Sequence, residues 1–244
     1  MQGGCLSMRR LLVRLLLCCL LISSEAVAQA IPPSGRWEVT IQVGDLKVPF
    51  SLQLDLNPDG VSGTFVNGNE RVSSTQGTLR DGTLRLEFRQ YGTALEAKLG
   101  KDQLKGTYGG TQFGSYAVEG SVYCTCAAVG EAGPDISGDW QLTELNAPVP
   151  ESAQLLVRRK GDDTLVHLFH PLDSHGEFIG LFDGLSFLLH HFDGARASLM
   201  ELEPRSDGSL DVTLREPHTS VRRFHGVPAA GRKGVKAEAR SPLH

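Results

Sequence analysis

The 244-residue chain is poor in the features that mark most activities. Aromatic residues make up only 7% of it, with two tryptophans and three methionines. No stretch after the leader repeats apolar residues at helical spacing, which excludes a helical bundle and any glycine loop that cradles phosphate by opening a helix. No serine sits in a Gly-x-Ser-x-Gly turn, and there is no C-x-x-C anywhere. The apolar run Leu15–Ile22 is roughly half the ~20 residues of a spanning helix. Basic charge is also scarce where it would matter. The net charge is −4, yet Arg9, Arg10 and Arg14 lie in the leader and six more bases follow from Pro217 onward. The body between them is strongly acidic, which excludes a large nucleic-acid surface.

What is present begins with the leader. Three arginines, the apolar run and the exit Ala26-Val27-Ala28 make residues 1–28 a secretory signal peptide. The mature chain is therefore expected to be exported, periplasmic or extracellular, meeting membrane only through an uncleaved signal. Cys5, Cys18 and Cys19 leave with the signal, so Cys124 and Cys126 are the mature protein's cysteines. In a strand their side chains share one face. They read as two half-buried thiols, as a labile disulfide closing a small strained ring, or as a copper-type thiolate pair.

The body alternates with period two. Leu52, Leu54 and Leu56 alternate with polar residues, as do Leu84, Leu86 and Phe88, and then Leu95, Ala97 and Leu99. That is the pattern of antiparallel strands with one face buried. Asn67-Gly68-Asn69, Asp81-Gly82, Asp183-Gly184, Asp193-Gly194 and Asp207-Gly208 supply hairpin turns. Gly35-Arg36-Trp37 and Gly138-Asp139-Trp140 open matching stretches, so two related units about 100 residues apart are expected, too long a period for a solenoid. The expected fold is all-β: two tandem antiparallel meander barrels, or barrel-like sheets, after the signal. The first occupies residues 35–126, a linker 127–136, the second 137–226, and a disordered basic tail 227–244. About eight strands are expected in the first unit, including a single strand over 70–79. The Gly-x-Trp opening is similar to that of lipocalin-like and avidin-like barrels, where the tryptophan plugs one end. Trp37 and Trp140 are thus barrel plugs or pocket walls, and the alternation alone does not say whether the barrels are filled or hollow.

A second likeness rests on longer motifs. Asn67-Gly68-Asn69-Glu70-Arg71-Val72, Thr75-x-Gly77, Asp81-Gly82-Thr83-Leu84, Phe182-Asp183-Gly184 and His191-Phe192-Asp193-Gly194 occur in order. Together, over about residues 35–216, the chain resembles the region upstream of the thioredoxin domain in exported TlpA-like thiol–disulfide oxidoreductases. The resemblance implies an accessory region whose partner is a thioredoxin-like domain. With no Trp-Cys-x-x-Cys motif present, no catalytic residue of that family carries over, and a truncated or frameshifted reading of the gene is one expectation.

Every histidine lies after residue 160. A metal site would draw on His170, His175 and His190 or His191, since His167 and His170, like His190 and His191, fall on opposite strand faces. Otherwise these are ordinary surface or half-buried imidazoles. Asp183 and Asp193 precede glycine and read as turn residues. No cofactor motif is present. The expectation is a binding or interaction module for a protein or small molecule, with a redox-active Cys124/Cys126 accessory and a lipocalin-type carrier as alternatives.

Overall fold

Strict alternation and Asn-Gly or Asp-Gly turns produce antiparallel strands joined by short hairpins, and the computed structural model consists of these. It describes residues 34–58, 60–111, 114–123, 133–147, 151–170 and 173–229. Every regular element among them is a strand. Residues 1–28, expected to be a signal peptide, Cys124, Cys126 and residues 230–244 lie outside the described residues.

The first sheet holds nine strands: β1 (Gly35–Val43), β2 (Leu46–Asn57), β3 (Gly60–Asn67), β4 (Glu70–Ser73), β5 (Gln76–Arg80), β6 (Thr83–Phe88), β7 (Thr93–Leu99), β8 (Gln103–Gly110) and β9 (Gly114–Val122). Their order is β4-β3-β2-β1-β9-β8-β7-β6-β5. The sheet curls because β1 pairs with β9, but it stays open between β4 and β5. The single strand expected over 70–79 is therefore two strands, and the break at Ser74–Thr75 is where closure fails. Ser74 turns its polar groups back onto β3. Its amide donates to the Gly63 carbonyl at 2.7 Å, and its hydroxyl accepts from the Gly63 amide at 3.0 Å.

The second sheet closes completely. Strands β10 (Gly138–Glu144), β11 (Ser152–Lys160), β12 (Asp163–His170), β13 (Asp173–Phe182), β14 (Phe187–Phe192), β15 (Ala197–Pro204), β16 (Leu210–Arg215) and β17 (Arg222–Pro228) follow one another around an up-and-down barrel. Pairing of β10 with β17 seals it, from Glu144 against Phe224 to Trp140 against Pro228. Val227 and Pro228, expected in a disordered tail, are thus part of the last strand because closure needs their backbone. Closure also leaves no unpaired edge.

Each sheet has its own core. The barrel is filled by Trp140, Phe178, Phe187, Phe224 and inward leucines such as Leu142, Leu155 and Leu168. Trp37, Phe50, Phe65 and Phe88 centre the open sheet's core. That second core is finished by residues of the barrel. Phe192 and Ala197, flanking the β14–β15 hairpin, are buried in it, and Leu199 packs on its edge. Phe192 lies 4.4 Å from Phe50, 5.1 Å from Phe65 and 5.4 Å from Tyr108, ring centre to ring centre. Burying one such ring contributes about 1.5–3 kcal/mol. The two sheets belong to one compact unit.

Candidate functional site: the polar mouth of the barrel and the seam beside it

Inside the barrel the apolar rows stop together. At one end, strand parity turns a polar residue inward at each strand: Glu144 on β10, Glu151 just before β11, His170 on β12, His175 on β13, His191 on β14, Ser198 on β15, Glu216 just after β16 and Arg222 on β17. Trp140 and Leu142 precede Glu144 on the inward row, Phe187 and Leu189 precede His191, and Val212 and Leu214 precede Glu216. A bulge between β12 and β13 sets the inward position of His175. The apolar core is thereby capped by a ring of carboxylates, imidazoles and one guanidinium.

Charges in the ring are paired. Arg222 grips Glu144 with two bonds, Nε to Oε1 at 3.0 Å and a terminal nitrogen to Oε2 at 2.9 Å. That contact holds the Glu144 carboxyl below its ordinary range and raises the arginine further. His170 Nε2 lies 2.8 Å from Glu151 Oε2, and His175 Nε2 lies 3.1 Å from Glu216 Oε1. His191 Nε2 faces Asp193 at 3.6 Å. Burial pulls the His191 imidazole down, but Asp193, the Glu177 carbonyl and Glu70 together raise it above the usual value. Burial likewise pushes Asp193 up, and His191 with the Arg196 and Ala195 amides more than reverses this.

The ring meets the first sheet through the β3–β4 turn. Asn67 is buried and its amide nitrogen bonds the Glu177 carbonyl, with His191 Nδ1 2.7 Å away. In the neutral ring Nδ1 accepts from Asn67 and the proton sits on Nε2 toward Asp193; in the imidazolium Nδ1 donates to the Glu177 carbonyl, 3.0 Å away. Glu177, on the barrel's outer face, accepts from the Asn69 amide at 2.5 Å, the Asn69 side chain at 3.2 Å and His167 at 3.0 Å. Gly68 has φ +62°, and a Cβ there would strike the Glu177 carboxylate. The turn motif Asn67-Gly68-Asn69 therefore joins two strands and docks two sheets. Farther along the seam the Tyr108 hydroxyl donates to the Gly194 carbonyl at 2.6 Å and receives a bond from Thr93, also at 2.6 Å.

A cleft of about 630 Å³ opens along this seam, lined by Leu46, Pro49, Leu188, His190, Leu199 and Arg215 among others. Desolvation, with help from the neighbouring His191, pushes His190 down to about 4.

The residues singled out in the sequence fall as follows. Trp37 and Trp140 are both fully buried core residues. The Trp140 indole donates to the Ile136 carbonyl at 2.9 Å. His170, His175 and His191 share the ring but are not one ligand set. Each imidazole is held by its own carboxylate, so the three do not turn toward a common centre. Among the described residues, the group whose donor atoms all come within 4.8 Å of one another is Glu144, Glu151 and His170. Asp183 and Asp193 each accept two backbone amides of their own turns. Sequence reading missed Glu144, Glu151, Ser198, Glu216 and Arg222. Part of the signal was in the parity, since each occupies the inward step just beyond one end of the apolar row of its strand, but only barrel closure brings these positions together.

No known protein family matches the sequence, and no curated protein matches it. Among solved structures, the apo haemoglobin receptor HpuA from Kingella denitrificans is 12% identical, with 86% of this chain and 90% of that one covered and a TM-score of 0.29. A protein of unknown function from Nostoc punctiforme, of the DUF3598 family, is 11% identical over 79% and 93% of the two chains, with a TM-score of 0.25. The Burkholderia oklahomensis agglutinin is 10% identical over 79% and 83%, with a TM-score of 0.18. At scores this low none of these proteins assigns a function to the chain.

Proposed function

We propose that the chain is an exported binding module that docks a partner protein on the barrel wall beside the seam. The supporting observation is a strip of exposed leucines. Leu181 and Leu188 are register partners on the outer face of β13 and β14, and Leu185 stands in the turn between them. Leu185 is 82% exposed and Leu188 51%. Leu188 also lines the cleft, so the strip continues into a concave surface that carries the polar groups His190 and Arg215. Contiguous exposed apolar surface of this kind is what partner proteins cover, and a cleft with few polar groups gives them an anchor. The barrel lumen is occupied by aromatic and leucine side chains, so binding is supported at the wall rather than in the lumen. Export is supported by the arginines, apolar run and Ala-x-Ala exit of residues 1–28.

A photo-activatable cross-linking residue in place of Leu188, expressed in the native cell, tests this. One discrete protein adduct is expected at Leu188, absent when the cross-linker replaces exposed Val227 three strands away, and lost on adding Leu185→Asp. No adduct, or the same adducts at both positions, would overturn the reading.

A further inference from the structure

We propose that the barrel mouth binds one divalent transition-metal ion through Glu144, Glu151 and His170. Three donor atoms, two carboxylate oxygens and one imidazole nitrogen, carried by β10, the residue leading into β11 and β12, lie within 4.8 Å of one another. A zinc-type ion sits about 2.0–2.2 Å from such ligands, so donors at this spacing reach a common centre with small side-chain movements. The strands hold them in place. Glu144 and Glu151 face each other across the β10–β11 connection, where the Glu144 amide donates to the Glu151 carbonyl at 3.0 Å.

The site has a closed side and an open one. The His170 side chain is 3% exposed and aims its Nε2 into the group, whereas the Glu151 side chain is 40% exposed. An ion held there would keep a coordination position toward solvent. One nitrogen and two carboxylates suit zinc, manganese or iron(II) over calcium or magnesium, which favour all-oxygen sets. Arg222 acts as the outer partner that orients a ligating carboxylate. It occupies one direction at each Glu144 oxygen, and a carboxylate has about four lone-pair sites in all. Its positive charge also weakens cation binding, so affinity below that of a closed structural zinc site follows.

The rival account is a balanced pair of ion pairs, Arg222–Glu144 and His170–Glu151, with no ion between them. Titration of the purified mature chain with Zn²⁺ alone, and separately Co²⁺ alone, decides between the two. The background is Cys124→Ser with Cys126→Ser, which removes the thiols as competing ligands. The expected result is one equivalent bound, a metal-dependent rise in Tm, and visible cobalt bands without thiolate charge transfer. Binding should fall at least about tenfold in His170→Gln and in Glu151→Gln, as loss of a direct ligand requires. It should stay unchanged in His225→Gln, whose imidazole faces Asp211 on the outer wall. If His170→Gln fails to fold, the half-exposed Glu151→Gln carries the test. Absence of binding overturns the proposal, and so does stoichiometric binding that survives Glu151→Gln.

Discussion

The ring of Phe192 lies 4.4 Å from that of Phe50, although one is carried by the closed barrel and the other by the open sheet. The barrel hairpin thus supplies a core residue to a sheet that does not close on itself. Stability of the open sheet depends on the barrel beside it.

Phe192→Ala should cost about 3–5 kcal/mol, the usual range for removing a buried phenylalanine. Urea unfolding of wild type should show one transition, with fluorescence from Trp37 and Trp140 moving together. Two separate transitions, with the Trp37 signal indifferent to Phe192→Ala, would show that the sheets stand independently.

Asn67→Ala should cost about 1–3 kcal/mol, because the Glu177 carbonyl and His191 lose a buried donor. Solvent-exposed Gln154→Ala on β11 serves as the control and should stay within about 0.5 kcal/mol. Equal losses from the two would remove the special role of the turn in docking.

Stability should fall away on both sides of a pH optimum, for two different histidines. His191 is raised above its ordinary 6.5, so its contribution is complete below that value and is lost as pH rises through the folded-state value. His190 is the opposite case. Burial lowers it to about 4, so between 6.5 and about 4 the unfolded chain takes up a proton that the folded chain refuses, and stability falls as pH falls. Asp193, held below 3.8, adds a further loss as pH falls through its own folded value. Urea midpoints across this range should show His190→Gln flattening the limb between 6.5 and about 4, and His191→Gln the alkaline limb. An acid limb of unchanged slope in His190→Gln would remove its assignment.

Arg222→Met should be more damaging than its charge count suggests. It leaves the Glu144 carboxylate, 7% exposed, without its partner, a loss of about 3–5 kcal/mol for a buried pair broken on one side. Adding Glu144→Gln should recover most of it. Failure of the second substitution to recover stability would show that packing of the arginine over the Phe224 ring, 5.1 Å away, matters more.

The link to a thiol–disulfide system is tested by mass. If the C-x-C pair is redox-active, non-reducing mass spectrometry should find a Cys124–Cys126 bridge that opens under mild reductant. Two thiols that stay reduced under oxidising conditions would leave the resemblance to TlpA-like proteins without chemistry.

Much of the architecture was legible along the chain. Period two in Leu84-Leu86-Phe88 marks strands and buried faces, since successive side chains must point to opposite sides. Asp81-Gly82 marks a hairpin whose residues both take positive φ, 50° and 69°. The opposite faces of His190 and His191 follow from the same parity. The break at Ser74–Thr75 was not legible, because the residues of 70–79 suit one strand as well as two, and what separates them is long-range: Ser74 bonds to Gly63 on β3 while Thr75 bonds to Glu87 on β6. The polar ring was half legible. Its histidines drew attention by their type, whereas Glu144 and Glu151 look like ordinary hairpin ends until closure turns them inward.

Sequence by itself determined an all-β chain, its turns and which side chains share a face, because these are consequences of backbone geometry over a few residues. Tertiary structure decided which sheet closes and what meets at its mouth. Arg222 and Glu144 are 78 residues apart in the chain, and Asn67 and His191 are 124 apart. Their meeting depends on the register of β10 against β17 and on the docking of the β3–β4 turn against the barrel, and no local pattern carries that information.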